Sequence, residues 1–399
     1  MAWKGKCPVG ERLQLVELVR CGVKVVEVAA MFGVSRKTAH KWLSRAEQEG
    51  LRALNDRSRA RHHIERFEGP ATEALLKLRR EHPTWGARKL LDALRNQQPR
   101  LKLPAASTAS DLLRRAGLIT QRPARSPRGR PSYRPGDTEP QAPNDRWTVD
   151  FKGEFRLGDG SLCFPLTLRD AVSRKLLDVH GLTDTRGTGV LKRYEWAFRE
   201  YGLPLELHSD TGQPFGSKGL ARLSWLSVYL LKLGIRPVFS RPGKPQDNGG
   251  HERMHRDLKA ETTRPPAEHL RAQQKRFDSF CECFNEERPH EALGGRPPDS
   301  VWVHSSRPYP PRLGDPHYPA HWEVRRTMSN GGFMWKHAQV YVTSALAYER
   351  VGLEPIDDGV WRVHFAAQPL GIFDERLARR KVLGLQPNAT IQLIPAEAA

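Results

Sequence analysis

Two aspartates lie in segments that predict β-strands, where a buried carboxylate requires a counter-charge or a bound metal ion. Asp150 lies in the segment 147–151, in which apolar and polar side chains alternate with the period of a β-strand. Asp210 follows the apolar pair Leu205 and Leu207 and precedes chain-breaking Gly and Pro residues, so it should mark the carboxyl end of a short strand. Ligands bind at such strand ends in open sheets. An aspartate on a core strand is costly to bury unless it is paired or binds a metal.

A third carboxylate, Glu252, follows a stretch rich in proline and glycine. This stretch should form a loop, and Asn248 is the predicted N-cap of a helix that continues to Lys259. Glu252 then lies in the first turn of that helix. The residues that concentrate positive charge around it are Lys244, Arg253, Arg256 and Lys259.

These three acids together predict phosphoryl-transfer chemistry. Oxygen donors of this kind suit Mg²⁺ or Mn²⁺ better than softer metals. Two such ions about 4 Å apart can activate a nucleophile and stabilise the leaving oxygen of a phosphoryl group. Each acid taken alone is more often a surface or capping residue, so the prediction depends on their combination. A fourth acid, Asp170, is interpreted as a turn residue outside the site, and His208 as a packing or DNA-facing group.

The overall charge predicts a polyanionic partner. The chain of 399 residues has 65 Lys and Arg against 45 Asp and Glu, a formal net charge of +20. Such an excess favours salt-dependent binding to nucleic acid, although a solvated basic surface is the alternative. No apolar run approaches the roughly 18 residues of a membrane span, and a secretory pattern is absent.

The cysteines favour a cytoplasmic protein. Their number is odd, five in all, as expected in a reducing compartment. Cys281 and Cys283 are too close together for a zinc knuckle and lack a second pair, which argues against a zinc site.

Helical modules should precede the acids. Residues 1–55 contain the periodicity of a helix-turn-helix domain, with Ser35 as the cap of a third helix from residue 36 to 43. The outward side chains of that helix are Arg36, Lys37, His40 and Lys41, a basic face suited to a major groove. A three-helix bundle with a solvated basic face is the alternative.

A second helical domain is predicted over 65–120, with helices that begin near Pro70 and Trp85 and after a cap at Ser107 or Thr108. Its candidate phosphate contacts are Arg114 and Arg115. A Pro- and Arg-rich linker over 121–144 follows, and it is either a plain spacer or a segment that lies along DNA. The arginines assigned to DNA in this linker are Arg125, Arg128 and Arg130.

The remainder predicts an α/β core followed by an all-β domain. Residues 145–305 give three strands connected by tight turns and then strands alternating with helices. Residues 320–390 give short strands at regular spacing, which favours a small SH3-like barrel. The fold class is therefore multidomain.

Four motifs in this chain resemble those of bacterial insertion-sequence transposases of the D-D-E type, whose core is similar to that of retroviral integrases. The motifs are Trp147–Asp150, His208–Gly212, Pro242–Arg253 and Phe284–Leu293. The resemblance covers nearly the whole chain and implies a ribonuclease-H-like core in which Asp150, Asp210 and Glu252 bind two Mg²⁺ or Mn²⁺ ions. Two departures, Thr211 in place of Asn and the pair before Glu252, leave the carboxylates intact.

The resemblance also implies a function. Such a protein binds the terminal inverted repeats of its element, cuts a 3′ end and joins it to target DNA, as a dimer or larger assembly on paired ends. Two other classes stay open: a non-catalytic DNA-binding regulator derived from a transposase, and a metal-dependent nuclease of the same fold.

Overall fold

The computed structural model describes residues 8–57, 69–119, 139–217, 220–240, 249–336, 338–377 and 382–384. These residues belong to two compact units that divide after residue 67. The linker arginines 125, 128 and 130, together with Lys244 and Asn248, lie outside the described residues. Among the described residues, no helix is long and apolar enough to cross a lipid bilayer.

The first unit contains three helices, which we call module I: α1 (Pro8–Arg20), α2 (Val25–Met31) and α3 (Arg36–Glu49). Gly33 has a φ of +64° and turns the chain between α2 and α3. Ser35 accepts the backbone N–H of Thr38 at 3.1 Å, which confirms the predicted cap. Helix α3 is longer than expected, and Ala39 and Trp42 bury its inner face.

The second unit begins with three further helices, module II: α4 (Pro70–Glu81), α5 (Ala87–Gln97) and α6 (Ala106–Arg115). The predicted cap of α6 is wrong. The helix begins after Ala105, whose carbonyl already accepts the Ala109 N–H at 2.9 Å, so Ser107 and Thr108 lie inside the first turn. Trp85 precedes α5 rather than opening it and stacks on His82, with ring centroids 3.9 Å apart.

A mixed sheet forms the centre of the second unit. Its strands are β1 (Arg146–Phe151), β2 (Phe155–Arg156), β3 (Leu162–Asp170), β4 (Leu176–Leu182), β5 (Glu206–Ser209) and β6 (Arg236–Phe239). Strand β3 pairs antiparallel with β1 and β4, and β1, β5 and β6 run parallel. This arrangement confirms the predicted order of antiparallel strands followed by alternating strands and helices.

Helices cover both faces of this sheet: α7 (Gly187–Tyr201), α8 (Trp225–Lys232), α9 (Gly249–Thr262) and α10 (Leu270–Glu282). Helices α7 and α8 pack with Trp147 and Leu207 in one core, and α9 and α10 pack with Leu176 and Val179 in another. Helix α8 is shorter than the predicted span of 220–233, because Ala221 and Arg222 have positive φ angles and Ser224 caps the helix.

The C-terminal strands form two sheets around one core. The strands are β7 (Glu323–Arg326), β8 (Gly332–Trp335), β9 (Ala338–Tyr341), β10 (Arg350–Asp357), β11 (Val360–Phe365), β12 (Gln368–Asp374) and β13 (Val382–Gly384). Strands β12, β11, β10 and β7 form one sheet, and β13, β9 and β8 form the other. Phe333 and Val340 of the second sheet meet Leu353 and Phe365 of the first. The all-β class is confirmed, and closure as an SH3-like barrel stays a prediction.

Candidate active site

Asp150 and Asp210 lie side by side at the carboxyl ends of two parallel strands. Strands β1 and β5 pair with Thr148 opposite His208, so two further residues along each strand bring Asp150 and Asp210 to matching positions. Paired strands lie about 4.8 Å apart. The Gly212 N–H donates to Asp210 Oδ1 at 3.2 Å and holds that carboxylate at the open end of β5. The sequence-predicted pair therefore comes together.

Glu252 lies in the first turn of α9 with its side chain exposed. The buried face of α9 is formed by His251, Met254, His255 and Leu258, which fix the helix against the sheet. Near the helix start, a Cβ on Gly250 would lie 2.5 Å from Nη2 of the buried Arg169, so only glycine fits there without displacement. This close packing brings the start of α9 against β3.

Asp210 and Glu252 both act electrostatically on Asp150. Burial and the charges of Asp210 and Glu252 together raise the pKa of Asp150 to about 7, against the opposing effects of the Phe151 N–H and Lys152. Burial also raises the pKa of Asp210. A carboxylate with so high a pKa is held at a cost that a cation relieves. The donor set consists of hard oxygens, so the residues fit Mg²⁺ or Mn²⁺.

A hydrogen-bonded link behind Asp150 joins the strands to α9. Thr167 Oγ1 donates to the Asp150 carbonyl at 3.0 Å and lies 2.8 Å from His255 Nε2. The single hydroxyl proton of Thr167 goes to the carbonyl, so in the contact with His255 the ring proton must be on Nε2. The other ring nitrogen, Nδ1, lies 3.9 Å from Asp150 Oδ2. Burial lowers the pKa of His255 to about 3, so the ring is neutral. Sequence reasoning missed both residues, although His255 lies one turn after Glu252.

Two neighbouring polar residues have structural roles. Asp170 is fully buried, and its Oδ1 accepts from the backbone and hydroxyl of Ser173 at 2.6 and 2.7 Å. Its Oδ2 accepts from the Asn144 N–H at 2.9 Å. His208 bonds to the Ser240 hydroxyl at 3.1 Å. These contacts support the interpretation of Asp170 as a turn residue and of His208 as a packing group.

The predicted DNA contacts that are described are exposed on three helices. Those on α9 are Arg253, Arg256 and Lys259, those on α3 are Arg36, Lys37, His40 and Lys41, and those on α6 are Arg114 and Arg115. Arg256 pairs with Asp257 at 3.3 Å, and Arg114 pairs with Asp111. The α9 group shares a helix with Glu252.

Within the described part of the chain, another group with metal-ligand side chains lies where module II meets the core: His82, Cys283 and Glu287. Cys283 Sγ is 3.9 Å from His82 Nδ1, whereas Glu287 Oε2 is 3.5 Å from His82 Nε2. One donor atom of each residue lies within 4.8 Å of the others, but Cys283 and Glu287 contact different ring nitrogens of His82. Burial raises the pKa of Cys283 to about 12, which keeps it a thiol. We interpret the group as a packing contact.

Family models match most of the chain. Integrase core domain models match residues 140–245 and 233–298, a helix-turn-helix domain model matches 11–62, and a homeodomain-like domain model matches 38–113. The mixed sheet and these matches indicate an integrase-like ribonuclease-H core that follows helix-turn-helix domains along the chain. The helix-turn-helix domains imply DNA binding. Such a core supports an enzyme of the polynucleotidyl transferase type. The domain combination is consistent with an insertion-sequence transposase of the D-D-E type.

Solved structures of retroviral integrases are similar at a low level. The catalytic core of HTLV-2 integrase in complex with magnesium is 14% identical over 40% of this chain and 97% of its own, with a TM-score of 0.32. An intasome of simian T-cell lymphotropic virus is 14% identical over 74% and 98%, with a TM-score of 0.37. The BIV integrase core is 22% identical over 40% and 93%, with a TM-score of 0.30. TM-scores of this size do not establish a common overall fold.

Proposed function

We propose that this protein is a DNA transposase that binds the ends of its insertion sequence, cuts a 3′ end and joins it to target DNA. The observation that carries the proposal is the position of Asp150 on β1 and of Asp210 directly after the parallel neighbour β5, with the charges of Asp210 and Glu252 both acting on Asp150. Partial burial and the charges of two neighbouring carboxylates together raise the pKa of Asp150, which an isolated surface acid would not show. An integrase core and helix-turn-helix domains on the same chain support the same function.

Asp150, Asp210 and Glu252 would hold two Mg²⁺ or Mn²⁺ ions. When bound, such ions activate the attacking oxygen and stabilise the leaving oxygen of the phosphodiester. The chain's own contribution is position: β1 and β5 fix the aspartates, and the buried face of α9 fixes Glu252. His255 and Thr167 keep the backbone of Asp150 in register with α9.

DNA would be held by the basic helices. Arg36, Lys37, His40 and Lys41 would enter a major groove of the terminal repeat, and Arg114 and Arg115 would contact phosphates. Arg253, Arg256 and Lys259, with Lys244 from the preceding loop, would bind the DNA end beside Glu252. The linker arginines 125, 128 and 130 would follow the backbone, and the C-terminal strands would close as an SH3-like barrel. We expect a dimer or larger assembly on paired ends.

The test is strand transfer in vitro with purified protein, Mg²⁺ and a duplex that carries the DNA flanking its own gene. Asp150→Asn, Asp210→Asn and Glu252→Gln should abolish joined products but retain DNA binding. Asp278→Asn, an exposed acid on α10, is the matched control and should leave joining unchanged. Cleavage without joining by the wild type would favour the nuclease. Binding with neither reaction would favour the regulator and reject our assignment.

A further inference from the structure

The helix that carries Glu252 is gripped by an arginine from the segment 283–293, which we call the closing segment. Arg288 Nη2 donates to Asp257 at 2.5 Å, and Nη1 donates to Glu261 at 3.3 Å. Both acids belong to α9. The Arg288 side chain is only 4% exposed, so its charge depends on these two carboxylates for compensation. The arginine fork therefore connects α9 firmly to the closing segment.

The closing segment is itself fastened to the central sheet. Asn285 Oδ1 accepts the Leu176 N–H, and Asn285 Nδ2 donates to the Leu176 carbonyl, both at 2.8 Å. The side-chain amide thus behaves like an added strand residue beside β4. The Arg288 guanidinium also lies 5.4 Å from the centre of the Phe284 ring. Arg288 consequently reaches α9 from a base that is fixed to the sheet.

Arg288 contacts the side of α9 that faces away from Glu252. With 3.6 residues per turn, Asp257 lies about 140° and Glu261 about 180° around the helix from Glu252. A rotation of about 20° would move a side chain at a radius of about 5–6 Å by about 2 Å. A misplacement of about 1 Å at a reacting centre can reduce the rate about 100-fold. A small rotation of α9 about its own axis would therefore displace Glu252 enough to affect the site.

We propose that Arg288 is a positioning residue, which fixes the rotation of α9 through Asp257 and Glu261 and thereby sets Glu252 beside Asp150. The effect on catalysis rests on the proposed function, whereas the grip on α9 belongs to the metal-free fold. Module II adds to the grip, because Thr84 Oγ1 donates to Glu261 at 2.6 Å. Thr84 and Arg288 thus donate to the same carboxylate of α9.

The variants must separate positioning from stability. Arg288→Met alone leaves two carboxylates without their cation, and this can unfold the protein. The triple variant Arg288→Met with Asp257→Asn and Glu261→Gln removes all three charges together, which buried ion clusters commonly tolerate. Arg288→Lys keeps the charge but removes the two-pronged geometry. Arg271→Met, an exposed arginine on α10, is the matched control.

Four quantities are measured: the thermal midpoint, hydrogen exchange of residues 249–262 without metal, Mn²⁺ affinity by calorimetry, and strand transfer. The triple variant should keep a midpoint close to that of the wild type but exchange faster in α9. We expect its Mn²⁺ affinity to fall about tenfold and its strand transfer to fall about 100-fold. Arg288→Lys should be intermediate, and the control should match the wild type.

A triple variant with wild-type exchange and Mn²⁺ affinity would overturn the proposal, because the charges would then serve stability alone. The outcome is separable from the proposed function. If the wild type joins no DNA but the triple variant still loosens α9 and weakens Mn²⁺ binding, the transposase proposal fails and the positioning role stands. If the wild type and the triple variant join DNA equally well, the transposase proposal stands and the positioning role of Arg288 fails.

Discussion

At the scale of single residues, the carboxylates of the site destabilise the folded protein when no metal is bound. Asp150 is a quarter exposed, and burial with two neighbouring carboxylates raises its pKa to about 7. The folded state therefore binds a proton at Asp150 more tightly than the unfolded chain does. Ionising Asp150 costs free energy, and the cost grows as the pH rises from the unfolded pKa to the folded pKa. Bound cations would remove this cost.

Asp150→Asn should therefore stabilise the metal-free protein. The gain in the free energy of unfolding should increase between pH 5 and pH 8, reach about 1–2 kcal/mol, and level off above pH 8. Urea unfolding in EDTA at several pH values measures it. Asp111→Asn, on the exposed face of α6, controls for the change of residue type. A gain that stayed constant over this pH range would contradict the explanation.

Added Mn²⁺ reverses the comparison between these two proteins. The ion should raise the thermal midpoint of the wild type at pH 8 and have little effect on Asp150→Asn, since ligands that bind the folded state stabilise it by mass action. Equal stabilisation of both proteins by Mn²⁺ would place the binding site elsewhere.

At the scale of elements, module II is docked on the closing segment and on the turn at residues 294–295 that follows it. Arg88 pairs with Glu291 at 3.3 Å, and Asn96 Nδ2 donates to the Gly295 carbonyl at 2.9 Å. A Cβ on Gly295 would lie 3.0 Å from the Asp92 carboxyl carbon. Helix α5 therefore packs too closely on residue 295 to accommodate a side chain there without displacement of Asp92. Side-chain contacts therefore connect this helical module to the segment that also holds α9.

Gly295→Ala should loosen this docking. Gly294 and Gly295 both have positive φ, at +65° and +83°, but a Cβ on Gly294 meets nothing within 4 Å. Both substitutions carry the backbone strain of alanine at positive φ, and Gly295→Ala adds crowding against Asp92, which we expect to cost about 1 kcal/mol more. Hydrogen exchange of α5 should rise for Gly295→Ala relative to Gly294→Ala. Identical exchange in the two variants would show that Asp92 moves aside freely.

The elements that carry the acids could be predicted because their evidence is local. Alternation around Asp150 and the chain breakers after Asp210 are readable within a few residues. The supporting contacts could not be predicted in this way: Thr167 and His255 are 88 positions apart, and Thr84 and Glu261 are 177 apart. Such pairs depend on how elements dock. The wrong cap of α6 has a local cause, since the Ala105 carbonyl starts the helix without help from a side chain.

At the scale of the whole molecule, the basic side chains behind the net charge of +20 fall into two groups, those paired within the fold and those exposed to solvent. Some basic side chains are occupied within the fold, as Arg288 is by two carboxylates and Arg193 is by Asp178 at 2.6 Å. Others, such as Arg36 and Lys37 at the start of α3, are exposed on the face that module I would present to DNA. Only cations of the second kind can release counterions from DNA. The salt dependence of binding therefore reports which modules contact phosphate.

Replacing Arg36 and Lys37 by Ala should reduce both DNA affinity and its salt dependence. The slope of log K against log salt should become shallower by about 1 for each phosphate that the variant no longer neutralises. Arg114→Ala with Arg115→Ala should have a smaller effect, because Arg114 is already paired with Asp111. Arg271→Ala with Lys275→Ala, two exposed cations on α10, is the charge-matched control. Fluorescence anisotropy at several salt concentrations measures the slopes. An α3 variant whose slope equals that of the control would remove Arg36 and Lys37 from the DNA interface and leave the other proposed contacts in α6, the linker, Lys244 and α9.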